Sequence, residues 1–352
     1  MNHRVAGCFA IVLCVTAGIM VTPVDAAGER PTERVSPAPE CNPNAVVWRT
    51  PEPPASPDAG DVWVNPKDGM EMVYIPAGEF ILGTSDADIE AWRRGNLWSL
   101  TSTADAFAEQ PQCHVRLGGY WLGRLEVTGA QYRRFVQATG RRGGTDIAHW
   151  DWWVNRLPEG LENRPAVAVD WDDGRAYCAW AGLRLPTELE WEKAARGSDG
   201  RFFPWGSKWD KGLCRSAEVV TGRSWATFQV WDAAIGPWLR THSVPKDGLA
   251  VVGSYPTDAS VYRCLDMAGN VSEWCADWYD KAAYARYAQG NLSPPASGTM
   301  RVLRGGSWRM IDPVFARCAS RRSDSPSERW DCYGFRCARD ASPSAESKGE
   351  PE

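Results

Sequence analysis

Apolar positions in this chain come in short bursts, each closed by Gly, Pro or a capping residue. Met72-Val-Tyr-Ile-Pro76 is β-branched and aromatic and predicts a strand, and Ala77-Gly78-Glu79 predicts a turn into a further extended stretch, Phe80 to Gly83. The stretch from Glu109 to Gly140 predicts another strand followed by a helix. Thr128 and Gln131 make a capping box, Tyr132, Phe135 and Val136 supply one apolar face, and Gly140 is placed to end the helix. After a loop carrying Trp150, Trp152 and Trp153, Asp170 caps a helix ending at Gly182, and Thr187 with Glu190 opens one that stops at Gly197. Strands and helices do not alternate, and no motif repeats at a fixed period. The pattern predicts short strands and short helices separated by long ordered loops.

The two ends differ from this middle. His3 and Arg4 precede an apolar run from Val5 to about Val21, and Val24-Asp25-Ala26 is a small-x-small cleavage site, so residues 1–26 read as a secretory signal peptide. No later run reaches the ~20 apolar residues that span a bilayer. A secreted or periplasmic protein is expected, with no membrane contact after the signal is removed. Residues 27–60 hold eight prolines and few apolar residues and read as a linker, with the folded domain at 61–340. The Ser, Glu and Pro of residues 341–352 predict a disordered tail.

Composition narrows the class. A net charge of -5 without a basic stripe excludes a nucleic-acid partner, and 20 Trp, 33 Gly and 25 Pro suit ordered loops better than a helix bundle. Nine cysteines follow the signal: Cys41, Cys113, Cys178, Cys214, Cys264, Cys275, Cys318, Cys332 and Cys337. In an oxidising compartment most should pair, and an odd one, for which Cys41 in the linker is the first candidate, is left over. The densest chemistry lies between Arg301 and Cys337, where Gly305-Gly306 sits among Arg304, Trp308, Arg317, Arg321 and Arg322. A Gly-Gly pair beside bulky groups predicts backbone passing close to its neighbours at unusual φ/ψ.

Met72-Val-Tyr-Ile-Pro-Ala-Gly-Glu-Phe80, Glu126-Val-Thr128, Arg184-Leu-Pro-Thr-Glu-Leu-Glu-Trp191, Phe203-Pro-Trp-Gly206, Asp266-Met-Ala-Gly-Asn-Val-Ser-Glu-Trp274, Arg304-Gly-Gly-Ser-Trp308 and Gly334-Phe-Arg-Cys337 follow one another in that order. This set resembles the formylglycine-generating enzyme, or sulfatase-modifying factor, family over residues 61–340. The resemblance implies an α+β, C-type-lectin-like fold with little regular secondary structure, in keeping with the Gly, Pro and Trp content. It also implies a choice of activities, since the family holds copper oxidases of sulfatase cysteines, non-heme-iron relatives in ergothioneine synthesis, pyoverdine-maturation proteins and ligand-binding proteins.

The copper members hold Cu(I) between two thiolates spaced i and i+5 after the Gly-Gly-Ser block. Here Met310 to Arg317 contains no cysteine. An oxidoreductase of this kind would work by another route, with copper or iron left open. The histidines available to iron are His114, His149 and His242. One expectation is therefore an exported oxidoreductase acting on a peptide, protein or peptide-derived substrate, with Ser307, Trp308, Arg304, Arg317, Cys318 and the neighbouring Arg321 and Arg322 lining its cleft. Arginines there would grip a substrate carboxylate, or else pair with acids to hold loops. The other expectation is a calcium-braced binding or accessory module of the same fold. The resemblance further implies a Cys178–Cys337 disulfide, which the chain-entropy model values at roughly 4–5 kcal/mol. Cys318 would pair elsewhere, with Cys332, or stay free. A calcium site is implied at Asp266, Gly269, Val271 and Glu273, with a weaker second one at Asp247 and Leu249.

Overall fold

The computed structural model describes residues 45–94, 107–141 and 157–341. His149, the three tryptophans near 150, Cys41, the signal and most of the tail lie outside them. One mixed sheet runs in the order β1 (Val47–Trp48), β2 (Val62–Val64), β3 (Glu71–Ile75), β6 (Tyr120–Gly123), β11 (Ala338–Asp340). The C-terminal strand β11 thus lies antiparallel to β6, with Ala338 opposite Leu122. A second sheet has the order β10 (Tyr333–Gly334), β7 (Ser272–Trp278), β8 (Arg301–Arg304), β9 (Arg322–Asp324). The expected turn at Ala77 to Glu79 leads into β4 (Gly78–Leu82), which pairs with β5 (Cys113–Leu117) as a separate two-stranded ribbon.

One boundary differs from expectation. Val47–Trp48, assigned to the linker, pairs in parallel with Val62–Trp63, and the Asp61 carboxylate accepts the Val46 N–H at 2.9 Å. Pro-rich composition hid a two-residue edge strand whose partner is local.

Among the described residues the helices are α1 (Asp86–Arg94), α2 (Gly129–Thr139), α3 (Trp171–Trp180), α4 (Glu188–Arg196), α5 (Ala217–Thr221), α6 (Phe228–Leu239) and α7 (Ala283–Tyr287). Local chemistry sets the ends of α2, α3 and α4. Thr128, Asp170 and Thr187 each accept the backbone N–H three residues on, and each box is closed by the reciprocal side chain. Gly140 ends α2 in the left-handed region at φ 63°. The main core packs Trp63, Trp121, Tyr132, Phe135, Tyr177, Trp274, Trp308 and Phe335 together; a second contains Trp191, Ala195, Cys264, Cys275 and Cys318.

Candidate functional site

The segment singled out in the sequence enters as β8 and turns at Gly305 and Gly306, with φ of 88° and 72°. A Cβ on Gly306 would stand 2.9 Å from the Phe315 carbonyl oxygen, so the turn needs glycine for both conformation and space. Beyond it the arginines turn inward. Arg304 donates to Glu188 at 3.3 Å, Glu192 at 2.6 Å and the carbonyls of Cys318 and Ala319. Arg317 holds Glu109 through two bonds of 2.7 and 2.9 Å, and Arg321 holds Glu188 at 2.6 and 2.8 Å. All three guanidinium groups are buried, and Arg196 joins Glu192 from α4 at 3.5 Å. Arg304, Arg317 and Arg321 therefore do not line a cleft; they are core cations held by carboxylates and carbonyls, with Arg304 Nε alone among their nitrogens buried without an acceptor. Arg322, partly buried, lies over the Phe315 ring at 5.5 Å.

The remaining cleft residues are also internal. Ser307 is buried, and its hydroxyl accepts the Arg309 N–H at 3.3 Å. Trp308 is fully buried, donates Nε1–H to the Asp331 carbonyl at 3.1 Å and lies 5.8 Å from the Trp238 ring. The Cys318 thiol is pushed up to about 12, chiefly by burial, which removes it as a thiolate nucleophile near neutral pH. It sits in the second core beside Ala195, whereas Cys332 belongs to the first, and no disulfide joins them in this structure. Where the copper pair would fall, Asp312 caps a short 3-10 turn, Pro313–Ala316. Met310, Val314 and Phe315 close that region in an apolar cluster with Phe203 and Cys214. The Cys178 and Cys337 sulfurs lie 3.2 Å apart, buried, as thiols in this structure.

The two described histidines stand in separate surroundings. His114 is exposed against Glu79 at 2.8 Å, and His242 is exposed and stacked on Trp238 at 4.4 Å. Among the described residues no three His, Cys, Asp or Glu side chains are arranged to hold a metal.

The first calcium set is built on a turn whose Asp266, Gly269 and Asn270 all adopt positive φ. A Cβ on Gly269 would lie 2.5 Å from the Arg215 carbonyl oxygen. The Asp266 carboxylate accepts the Gly253 N–H at 2.6 Å. Both Glu273 oxygens are engaged, by Arg336 at 2.6 Å twice and by Trp191 Nε1–H at 2.7 Å. Two further buried acids, missed in the sequence, adjoin this set. Glu126 accepts from Asn270 at 2.7 Å, and Asp258 accepts the Asp266 N–H while its Oδ1 is buried without a partner. Burial, reinforced by neighbouring carboxylates, raises Glu126 well above the usual range, Asp258 to about 8 and Asp266 to about 6. Surplus negative charge and the orphaned Asp258 oxygen would attract a hard cation here, but Arg336 and Trp191 already hold both Glu273 oxygens, so these side chains do not stand as a ready cage.

The second calcium set does not fit. The Leu249 carbonyl accepts from Arg164 at 3.1 Å, the Asp247 and Gly248 carbonyls accept from Arg215, and the Asp247 carboxylate accepts the Ser243 N–H at 2.7 Å. A guanidinium already occupies the ground between these oxygens.

An open groove lies elsewhere, with a volume of about 700 Å³, between α3, the start of α4 and the end of β11. Trp171, Leu183 and Leu185 line it, with Arg175, Glu190 and Asp340 among its polar members. Arg175 is exposed and leans over the Trp171 ring at 5.6 Å. Sequence reasoning read Asp170 and Gly182 only as helix ends and left out the side chains between them that face outward.

Residues 59–341 match the model of the family described as the sulfatase-modifying factor enzyme 1-like domain. The chain is 32% identical to the formylglycine-generating enzyme of Streptomyces coelicolor, over 85% of this chain and 98% of that protein. It is similar to the hercynine oxygenase of Mycolicibacterium smegmatis at 31% identity, over 76% of this chain and 61% of that protein. Among solved structures, PvdO from Pseudomonas aeruginosa superposes with a TM-score of 0.60 at 26% identity, covering 81% of this chain and all of that one.

Proposed function

Since the chain belongs to the sulfatase-modifying factor family, we propose that it is an exported member that binds a peptide or peptide-derived ligand in the groove at Trp171. The observation that carries this reading is a contrast of space. Met310 and Val314 to Arg317 are buried in apolar packing and a core ion pair, with Ile311 to Pro313 half-buried, while the groove is open and about 700 Å³ in volume. Trp171 offers an aromatic ring, already stacked on one side by Arg301 at 3.6 Å, Leu183 and Leu185 an apolar floor, and Arg175 an exposed cation that a ligand carboxylate would take from its surface pair with Asp172. Calcium at Asp266, Glu273 and the Gly269 and Val271 carbonyls would brace the loop that carries β7, whose Cys275 carbonyl accepts the Trp171 indole N–H at 2.8 Å. Oxidation after export would join Cys178 to Cys337 and tie α3, one wall of the groove, to the C-terminal strand region.

The test is capture of a peptide library by the mature protein and by Trp171→Ala and Arg175→Glu variants. Selective retention of acidic peptides that both variants lose is expected; retention unaffected by either would remove the groove from the proposal.

Similarity to hercynine oxygenase favours a second reading, an oxidoreductase acting on ligands of the same class without the two-thiolate copper site. Metal analysis decides it, together with oxygen uptake in the presence of captured peptides. Copper or iron near one per chain with ligand-dependent oxygen consumption replaces the binding reading; calcium alone with no uptake leaves it standing.

A further inference from the structure

Val244–Gly248 forms a tight turn that continues into Leu249, and four successive carbonyls, from Lys246 to Leu249, face two arginines. Arg164 donates Nε–H to Leu249 at 3.1 Å, Nη2–H to Lys246 at 3.4 Å and Nη1–H to Gly160 at 2.5 Å. Arg215 donates Nε–H to Gly248 at 2.9 Å and Nη2–H to the Asp247 carbonyl. Consecutive carbonyls turned to one side need cations or N–H donors. The planar fork of a guanidinium supplies donors and charge together.

We propose that Arg215, seconded by Arg164, is a resident cation that holds this turn in place of the calcium ion the family resemblance implies at Asp247 and Leu249. Position gives the substitution its consequence. Gly248 lies against the Trp308 ring, close enough that a Cβ would stand 3.3 Å from it. The Arg215 backbone carbonyl accepts the Asn270 N–H at 2.9 Å, and its strand-like bridge to Gly269 reaches the first calcium loop. One residue therefore couples that loop to the turn supporting Trp308, and it does so without a metal. A guanidinium fixed on these carbonyls also repels any divalent ion approaching them.

The proposal predicts that the two loops respond differently to calcium. The mature protein, stripped with EGTA and dialysed against calcium, is expected to bind at most one ion per chain. Arg215→Asn removes the cation and adds an oxygen ligand. It should lower Tm in EGTA by roughly 5 °C, as loss of two charge-assisted hydrogen bonds implies. It should also bind one more calcium than the parent and recover Tm when calcium is added. Arg215→Lys keeps the charge without the fork and should show a smaller loss of Tm with no added calcium. Two ions on the parent protein overturn the proposal, as does Arg215→Asn with unchanged calcium stoichiometry. If Arg215→Asn folds only in calcium, the proposal is supported. If it folds in neither condition, the parent's stoichiometry and Arg215→Lys decide. A parent binding none with Arg215→Asn binding one would sustain this inference while removing calcium from the Asp266 loop.

Discussion

Two buried charge clusters sit in this molecule and are balanced in opposite ways. Beneath β8, Glu188, Glu192 and Asp277 meet Arg196, Arg304 and Arg321. Beside the Asp266 turn, Glu126, Asp258, Asp266 and Glu273 share Arg336. The consequence shows in two glutamates of equal burial. Glu192, although burial pushes it up, is held below its usual range by Arg196 and Arg304. Glu126 has carboxylate neighbours and rises far above it. Burial is common to both, so the count of nearby guanidinium groups decides which carboxylate keeps its charge. A matched cluster is a finished piece of core; an acid-rich one leaves a demand for protons or a divalent ion.

The comparison can be broken most forcefully at Arg336. Arg336→Met strips the acid-rich cluster of the one arginine that bridges Glu273, and unfolding in urea at pH 8 should show a loss of about 5 kcal/mol. Part of that loss should return at pH 5, where Glu126, Asp258 and Asp266, all raised, hold protons; an equal loss at both pH values would mean that charge is not its cause. Arg304→Met leaves Glu188 and Glu192 short of a partner and should cost about 4 kcal/mol, with less recovery in acid because Arg321 still holds Glu188 and Arg196 still stands beside Glu192. Millimolar calcium should raise stability by about 2–3 kcal/mol if its concentration is near a hundred times Kd. The gain should be lost in Glu273→Gln and kept in Glu188→Gln; thermal unfolding with EGTA controls reads it.

The smallest effect concerns Asp277, raised to about 7 by burial and then by Glu188. The folded state binds this proton more tightly than the unfolded state. Its contribution is therefore fully present below pH 4 and is lost as pH rises from there through 7. Asp277→Asn keeps an acceptor for the Glu188 N–H and should flatten that slope, gaining about 1 kcal/mol at pH 8. A stability–pH curve identical to the parent's would count against the assignment.

What was legible in the sequence was local. Thr128 and Gln131, Asp170, and Thr187 and Glu190 announce their helices because each cap closes within three residues. The need for Gly305 and Gly306 was legible too, though not that Trp191 crowds the first and Phe315 the second. The arginines were misplaced because an arginine looks the same whether its partner is a substrate or a glutamate far along the chain. Glu109 lies 208 residues from Arg317, and Glu188 lies 133 from Arg321. The groove escaped notice because Trp171, Leu185 and Asp340 meet only after folding. Helix α6, whose Trp231 and Ile235 are buried, carries Pro237 in its last turn, which argues against a helix there in a sequence-only reading.

The same long-range pairing bears on how the chain reaches its native state. Arg317 cannot be buried without Glu109, nor Arg336 without Glu273, and the strand that follows Arg336 must cross back to β6. An incomplete chain ending before residue 300 would carry Glu109, Glu188 and Glu273 with Arg304, Arg317, Arg321 and Arg336 still missing, and Glu192 with Arg196 alone, so no balanced interior could close around them. Such wiring delays collapse until the last forty residues of the domain are present, and contacts this distant slow folding through loop-closure entropy. Were the chain exported unfolded, as proposed above, late closure would keep it threadable.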